Sequence, residues 1–356
     1  MAEKALILDD GTVFNGRAFG SPAVSFGEVI FNTSLTGYQE LITNQAYYNQ
    51  LVVFTQPNIG NLPISSNLYE SIQPTIKGVI VHNTGTLADD DPRSLDAYLK
   101  KHNIPGITDI DTRALVRHLR AAGRPMRGSL VPVADDHAFD QLNATVLTNQ
   151  QVAQVSTPKP YPNPDVGESV VVIDFGLKNG ILRELSRRKC NVTVLPYNVT
   201  AEEVMQLDPA GVVLSSGPGD PHDLKPTVLQ MIRDLQAQVP MMAFGLGHEL
   251  FALANGTECT RQAVEYHGSN HPILEVITDH IMYAQQDSAY RISKESVNRQ
   301  ELFITYLDLI TGGVIGLRHR FYPAFSVQFY PDGAPGPDDT NPLIDEFMEN
   351  IKLRKG

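Results

Sequence analysis
The chain has 356 residues, 42% hydrophobic and 19% charged, a composition suited to globular structure and long enough for two domains with separate cores. Its 28 basic and 40 acidic side chains leave a net charge of −12 with no basic block to override it, which excludes nucleic acid as a partner. The N-terminal MAEKALILDDG lacks a signal-peptide core and no stretch approaches ~20 uncharged apolar residues, so a cytoplasmic protein without a membrane segment is expected. Cys190 and Cys259 are too few for a disulfide scaffold and lack zinc-type spacing; both are expected to sit as small buried hydrophobes.

Taken in order, residues 5–8, 29–31, 51–54 and 77–81 read as short strands among turns, with a helix over 111–121. Asp109-Ile110-Asp111 before Thr112 is a helix-cap pattern. Residues 1–152 therefore form a mixed α/β domain. The segment 153–169 carries prolines at 158, 160, 162 and 164 and reads as a linker, because proline removes a backbone donor and cannot join a central strand. From 170 to 356 the pattern changes. Apolar runs at 170–174, 191–196, 211–215 and 239–244 alternate with helical stretches near 181–188, 201–207 and 227–236, the signature of a mostly parallel sheet with helices on both faces. Strand-like runs follow at 280–285, 301–309, 314–318 and 324–329, then a closing helix from Asn341. His267 and His271 stand four apart in EYHGSNHP, but Gly268 and Pro272 oppose a regular helix, and a metal pair is not expected.

Two segments carry the chemistry. Residues 239–250, VPMMAFGLGHEL, have the strand–turn–helix pattern of a nucleophile elbow, which exposes a Ser or Cys above a sheet and lets backbone N–H groups receive an oxyanion. The nucleophile position is Gly245, which has no side chain to attack with. These residues resemble the FGICLGHQL segment of class I glutamine amidotransferases, and 324–337, AFSVQFYPDGAPGP, resembles their FSVQYHPEASPGP. On that resemblance Tyr330 replaces the histidine base and Asp332 the glutamate that orients it. A phenol with a pKa near ~10 stays protonated at neutral pH and accepts a thiol proton poorly.

The N-terminal motifs choose among amidotransferases. DDGTVFNGRAFG (9–20), GEVIFNTSLTGYQELIT (27–43), QPNIGN (56–61), IPGITDIDTRALVRH (104–118), IDFGLKN (173–179) and LSSGPGDP (214–221) together resemble the small subunit of carbamoyl phosphate synthetase over nearly the whole chain. In that family the small subunit hydrolyses glutamine and passes ammonia through a tunnel to a large subunit, which uses ATP, bicarbonate and metal to make carbamoyl phosphate for arginine and pyrimidines. The resemblance implies a large-subunit partner, in a heterodimer or a higher assembly of heterodimers, and no cofactor in this chain. It implies an oxyanion hole at Gly217 and Leu246, with Gly219 in the same loop. It also places several substitutions in the glutamine pocket: Glu249 for a glutamine, Ala46 for a serine, and Gln286, Ser288 and Ala289 in place of an Asn-x-Gly-aromatic run. His248 belongs to the turn rather than to catalysis. No base is evident for a displaced nucleophile at Ser215, Ser216 or Cys259.

Two readings follow. One is a synthetase small subunit with a dead glutaminase, serving a large subunit that draws on free ammonia. The alternative is a detached regulatory pseudoenzyme that binds an amino acid; the retained N-terminal motifs favour the first.

Overall fold
The computed structural model describes residues 2–85, 87, 91–133, 135 and 137–355. The chain forms two compact units, Met1–Thr148 with Ala263–Gly268, and Asn149–Gln262 with Ser269–Gly356.

The first unit is built on a closed barrel of seven strands, in the order Glu3–Leu8, Val13–Gly20, Pro105–Thr108, Gly78–Ile80, Gln50–Phe54, Ser25–Asn32 and Met126–Pro132. The apolar run Leu51-Val52-Val53-Phe54 is buried on both faces: Leu51 and Val53 enter one core with Leu6, Val29 and Ile107, and Val52 and Phe54 another with Ile30, Leu41 and Leu99. Side chains alternate across a strand, so a continuous apolar run is what two opposed cores require. Leu115 and Leu119 of helix Thr112–Ala122 cover the first of these cores. Asp111 caps that helix, its side chain accepting from the Ala114 N–H at 2.8 Å. Strands Val13–Gly20, Pro105–Thr108 and Met126–Pro132 were not evident from the sequence, because their glycines, arginines and asparagine break the apolar pattern. Ala263–Gly268 joins this unit through the Thr33 N–H, which donates to the His267 carbonyl at 3.0 Å.

The second unit carries a ten-stranded sheet in the order Tyr161–Asn163, Asn191–Pro196, Ser169–Asp174, Gly211–Leu214, Met241–Phe244, Ala324–Val327, Val314–His319, His280–Ile292, Cys259–Glu275 and Leu302–Asp308. The run from Asn191–Pro196 to Ala324–Val327 is parallel. Period-two alternation sorts its residues between two cores. Val171, Ile173, Val212, Leu214 and Met241 pack with helices Pro226–Gln236 and Leu246–Ala254; Val170, Val172, Val213, Met242 and Phe244 pack with Asn179–Arg187 and Pro342–Lys355. Mixed α/β architecture agrees with the sequence reading, but the expected mostly parallel sheet does not hold: only the five strands from Asn191–Pro196 to Ala324–Val327 run parallel, while Tyr161–Asn163 and the pairings beyond Ala324–Val327 are antiparallel, because the later strands follow one another through short turns rather than helical crossovers.

The expected linker 153–169 falls inside the second unit. It holds the end of helix Gln151–Val155 and strand Tyr161–Asn163, which pairs antiparallel with Asn191–Pro196. Pro162 is tolerated because this strand lies at the sheet edge, where a missing donor breaks no ladder on its outer side. Cys190 and Cys259 are buried, as expected. Among the described residues, no helix is long and apolar enough to cross a membrane.

Candidate functional site
Four adjacent parallel strands deliver their following residues to one region: Ser169–Asp174 leads to Phe175–Lys178, Gly211–Leu214 to Ser215–Gly219, Met241–Phe244 to Gly245, and Ala324–Val327 to Gln328–Asp332. Open parallel sheets place their sites beyond these carboxyl ends.

Gly245 turns the chain from strand into helix with φ 57° and ψ −125°. Its N–H donates to the Val327 carbonyl at 3.1 Å, and the Gly247 N–H donates to the Ser215 carbonyl at 3.1 Å, pinning the elbow between neighbouring strand ends. An L-residue held in such a region stores about 1–3 kcal/mol of strain. A Cβ at Gly245 would stand 2.9 Å from Ser216 Cβ and 3.3 Å from Tyr330 Cε1. The elbow geometry is retained, and the space above it is crowded.

Gly217 faces the elbow across a tight gap: a Cβ there would lie 2.1 Å from the Phe175 carbonyl oxygen and 3.0 Å from Leu246 Cδ2. Gly217 and Leu246, the expected oxyanion-hole pair, are therefore brought together. Gly219 has φ 95° and borders Gln151. Neither nearby hydroxyl is poised to attack. Ser215 Oγ accepts from the Phe175 N–H at 2.9 Å and donates to the Ser216 carbonyl at 2.8 Å, while Ser216 Oγ donates to the Gly176 carbonyl at 3.4 Å. Burial, with Glu249 and Asp220 nearby, pushes the Cys259 thiol well up and keeps it protonated.

Tyr330 is 1% exposed, its N–H donating to the Gln285 carbonyl at 3.0 Å and its ring edge-on to Phe244. The residue that joins Tyr330 to Asp332 was not picked out from the sequence. Lys178 has its ammonium 4.2 Å from the Tyr330 ring centroid, 3.1 Å from Asp332 Oδ2 and 2.5 Å from the Ala334 carbonyl, to which it donates. Both side chains of the Lys178–Asp332 pair are fully buried. Asp174 shapes the turn that carries Lys178, its Oδ1 accepting from the Gly176 and Leu177 N–H groups at 2.9 and 2.8 Å. The available signal was a lysine directly after the apolar turn of IDFGLKN.

Glu249 is 4% exposed, and its Oε1 accepts from Gln328 Nε2 at 3.0 Å. Gln286 is buried in strand His280–Ile292. Ser288 Oγ is spent within its own sheet, donating to the Tyr290 carbonyl and accepting from Gln262 Nε2 at 3.1 Å. Ala289 packs, partly buried, against the Leu246 and Leu250 core. Ala46 belongs to the first unit, where its N–H donates to Asn44 Oδ1 at 3.0 Å.

His267 and His271 lie on strand Cys259–Glu275 and contact separate carboxylates, Glu265 at 3.0 Å and Asp308 at 2.8 Å. Among the described residues no group of three or more His, Cys, Asp or Glu side chains could hold a metal ion.

His248 is fully buried, with Nδ1 2.8 Å from Ser326 Oγ, and burial pushes its imidazole down to about 3. The unfolded imidazole binds its proton near ~6.5 and the folded one far lower, so below ~6.5 the unfolded chain holds more protons. Stability contributed by the neutral imidazole is thus present above that pH and is lost as pH falls, by about 1.4 kcal/mol per unit. Urea unfolding at pH 7.5, 6 and 5 should show this slope in the wild type and a shallower one in His248→Gln. Equal slopes would show that the imidazole titrates alike in both states.

A sequence profile of the carbamoyl-phosphate synthase small chain, CPSase domain, matches residues 6–130, and one of the class-I glutamine amidotransferases matches residues 171–350. The carbamoyl phosphate synthase pyrimidine-specific small chain of Lactiplantibacillus plantarum is 47% identical over 98% of this chain and 95% of its own length. The carbamoyl phosphate synthase small chain of Streptococcus pneumoniae is 48% identical over 100% and 99%, and that of Lactococcus lactis subsp. cremoris 46% identical over 98% and 98%. The second unit thus carries a class I glutamine amidotransferase domain. The chain as a whole belongs to the family of carbamoyl phosphate synthase small chains.

Proposed function
We propose that this small chain supports carbamoyl phosphate synthesis without hydrolysing glutamine itself, and that its large partner subunit draws on free ammonia. One observation carries the reading: the elbow keeps its backbone, with Gly245 at φ 57° and ψ −125°, but offers no side chain to form a thioester. The neighbouring positions point the same way. Tyr330 is a poor base, Asp332 is engaged by Lys178, and Glu249 puts a carboxylate where an uncharged amide would meet a glutamine substrate. A pocket built around hydrogen bonds discriminates by orders of magnitude once a partner is changed. Gly217, Gly219 and Leu246 then form a vestigial oxyanion loop, and Gln286, Ser288 and Ala289 of the same unit a vestigial substrate wall; the Ala46 substitution is a further departure from the family pattern in the first unit.

The partner is a large synthetase subunit, as the designation "small chain" of the relatives suggests, and it supplies the sites for ATP, bicarbonate and metal. The protein acts in the cytoplasm. Its product feeds pyrimidines, a reading supported by the name of the L. plantarum relative, or arginine. The test is a reconstituted complex assayed with each nitrogen source. Carbamoyl phosphate should form from ammonium but not from glutamine, with no thiol-sensitive ammonia release. A thiol-sensitive glutaminase rate would overturn the reading.

A detached amino-acid sensor has one supporting feature, a cavity of about 310 Å³ bordered by Gly219, Asp220, Asp223, Lys225 and Gln151. It is separated from the first reading by calorimetry with free amino acids and by failure to co-elute with any large subunit.

A further inference from the structure
Among the described residues two lysines are buried, Lys178 and Lys4, and they are held in opposite ways. Lys178 faces the Asp332 carboxylate at 3.1 Å, whereas Lys4 makes no ion pair among the described residues. Lys4 lies on strand Glu3–Leu8, 2% exposed, on the strand face it shares with Leu6 and Leu8 of the first unit's core. Its ammonium meets backbone carbonyls alone, donating to that of Ser21 at 3.4 Å and that of Ala23 at 3.2 Å. Both distances are long for a charged donor, which usually sits about 2.7–2.9 Å from its acceptor. An ammonium out of water without a carboxylate is disfavoured, and burial pushes Lys4 down to about 8.

The amine is covered by residues 21–24, which join strand Val13–Gly20 to strand Ser25–Asn32 and belong to neither helix nor ladder. Ser21 is anchored, its N–H donating to the Ile104 carbonyl at 2.9 Å, while Pro22 and Val24 are exposed. A small neutral reagent needs only the outer part of this loop to move.

We propose that Lys4 is a carbamoylation site, its ε-amine adding to isocyanic acid, the neutral acid of cyanate. The amine lone pair forms a bond to the isocyanate carbon, the electron pair of the C=N bond moves to nitrogen, and that nitrogen takes up the proton the amine gives up. The step is an addition, with no leaving group and no redox partner. Its product is an uncharged urea, which removes the buried charge, keeps an N–H at Nζ and adds an NH₂, so the Ser21 and Ala23 carbonyls can each receive a donor. An acetyl group would leave a single N–H for both carbonyls, which favours carbamoylation over acetylation. Isocyanic acid forms when phosphate leaves carbamoyl phosphate, so this origin of the reagent rests on the subunit reading above, while the reactivity of Lys4 does not.

The test is peptide mapping by mass spectrometry of the full chain treated with potassium cyanate at about pH 8, folded and in guanidinium. About half of Lys4 is uncharged at that pH in the folded chain, against less than about 1% of an ordinary lysine near ~10.4. Lower basicity and the covering loop offset part of that lead. Lys4 should therefore be carbamoylated about tenfold faster than the exposed Lys101 and Lys352 when folded, and at their rate in guanidinium. Cyanate should also raise the melting temperature of the wild type relative to its effect on Lys4→Met, because only the wild type loses a buried charge. Lys4 reacting no faster than Lys101 in the folded chain overturns the site, and so does a lead that persists in guanidinium. A wild-type melting temperature that gains nothing over Lys4→Met overturns the fit of the urea group to the two carbonyls. Carbamoyl phosphate in place of cyanate should leave the same mark; its absence there overturns that origin while leaving both the site and the subunit reading in place.

Discussion

Gly245→Cys should restore no glutamine hydrolysis above background. The new side chain would enter a backbone region that strains L-residues by about 1–3 kcal/mol. Its Cβ would also press on Ser216 Cβ at 2.9 Å and on the Tyr330 ring at 3.3 Å. Beyond that crowding, the thiol, with a reference pKa near ~8.5, would face a phenol near ~10 rather than an imidazole, so the thiolate would not be generated by proton transfer. Residues of a triad act as a unit worth about 10⁶-fold in kcat, and restoring one member of three recovers little of it. Adding Tyr330→His and Asp332→Glu supplies a base and an orienting carboxylate. It also puts the longer carboxylate into a fully buried position already paired with Lys178. This triple variant should remain weak until Ala46, Glu249, Gln286 and Ser288 are replaced as well, a strongly non-additive pattern. Ammonia release from glutamine, followed across the single, triple and pocket-restored variants, measures it. Substantial activity in Gly245→Cys alone would mean that another base serves this elbow.

The second large effect is on stability. Asp332→Asn should destabilise the protein by about 3–5 kcal/mol, because it leaves the Lys178 ammonium buried with no compensating charge. The carbonyl of Ala334 and the face of Tyr330 remain as partners but supply only partial compensation. Lys178→Met should cost a similar amount by stranding the carboxylate instead. Removing both charges in Lys178→Met/Asp332→Leu should recover most of the loss, since a buried pair can be replaced by apolar side chains of similar volume at little cost. Urea unfolding of the wild type, both single variants and the double variant closes the cycle. Additive losses in the double variant would show that the two groups do not act as a pair.

Around this elbow the Tyr330 ring stands 3.3 Å from where a Cβ at Gly245 would lie, and the Lys178–Asp332 pair packs against that ring, so packing and charge hold these residues together.

What the amino-acid sequence determined by itself was whatever depends on local pattern. The runs at 170–174 and 239–244 were legible as strands because all their residues but Asp174 at the end of the first are apolar, and a strand with cores on both faces needs no alternation. Gly245, Tyr330 and Asp332 were legible as departures from the amidotransferase pattern because the residues around them set the register. Tertiary structure alone decided the rest. Closure of the seven-stranded barrel uses Val13–Gly20 and Pro105–Thr108, whose glycines fit close packing: a Cβ at Gly106 would lie 2.5 Å from the Phe19 ring, a contact no single-strand pattern reveals. The 153–169 stretch became an edge strand because an edge tolerates proline, and which strand lies at an edge is a property of the sheet. Lys178 and Asp332 are 154 residues apart in the chain and follow strands separated by two others, and their pairing, like the contact of Gly217 with Leu246 beyond two neighbouring strands, exists only because the parallel strands all end at one edge of the sheet.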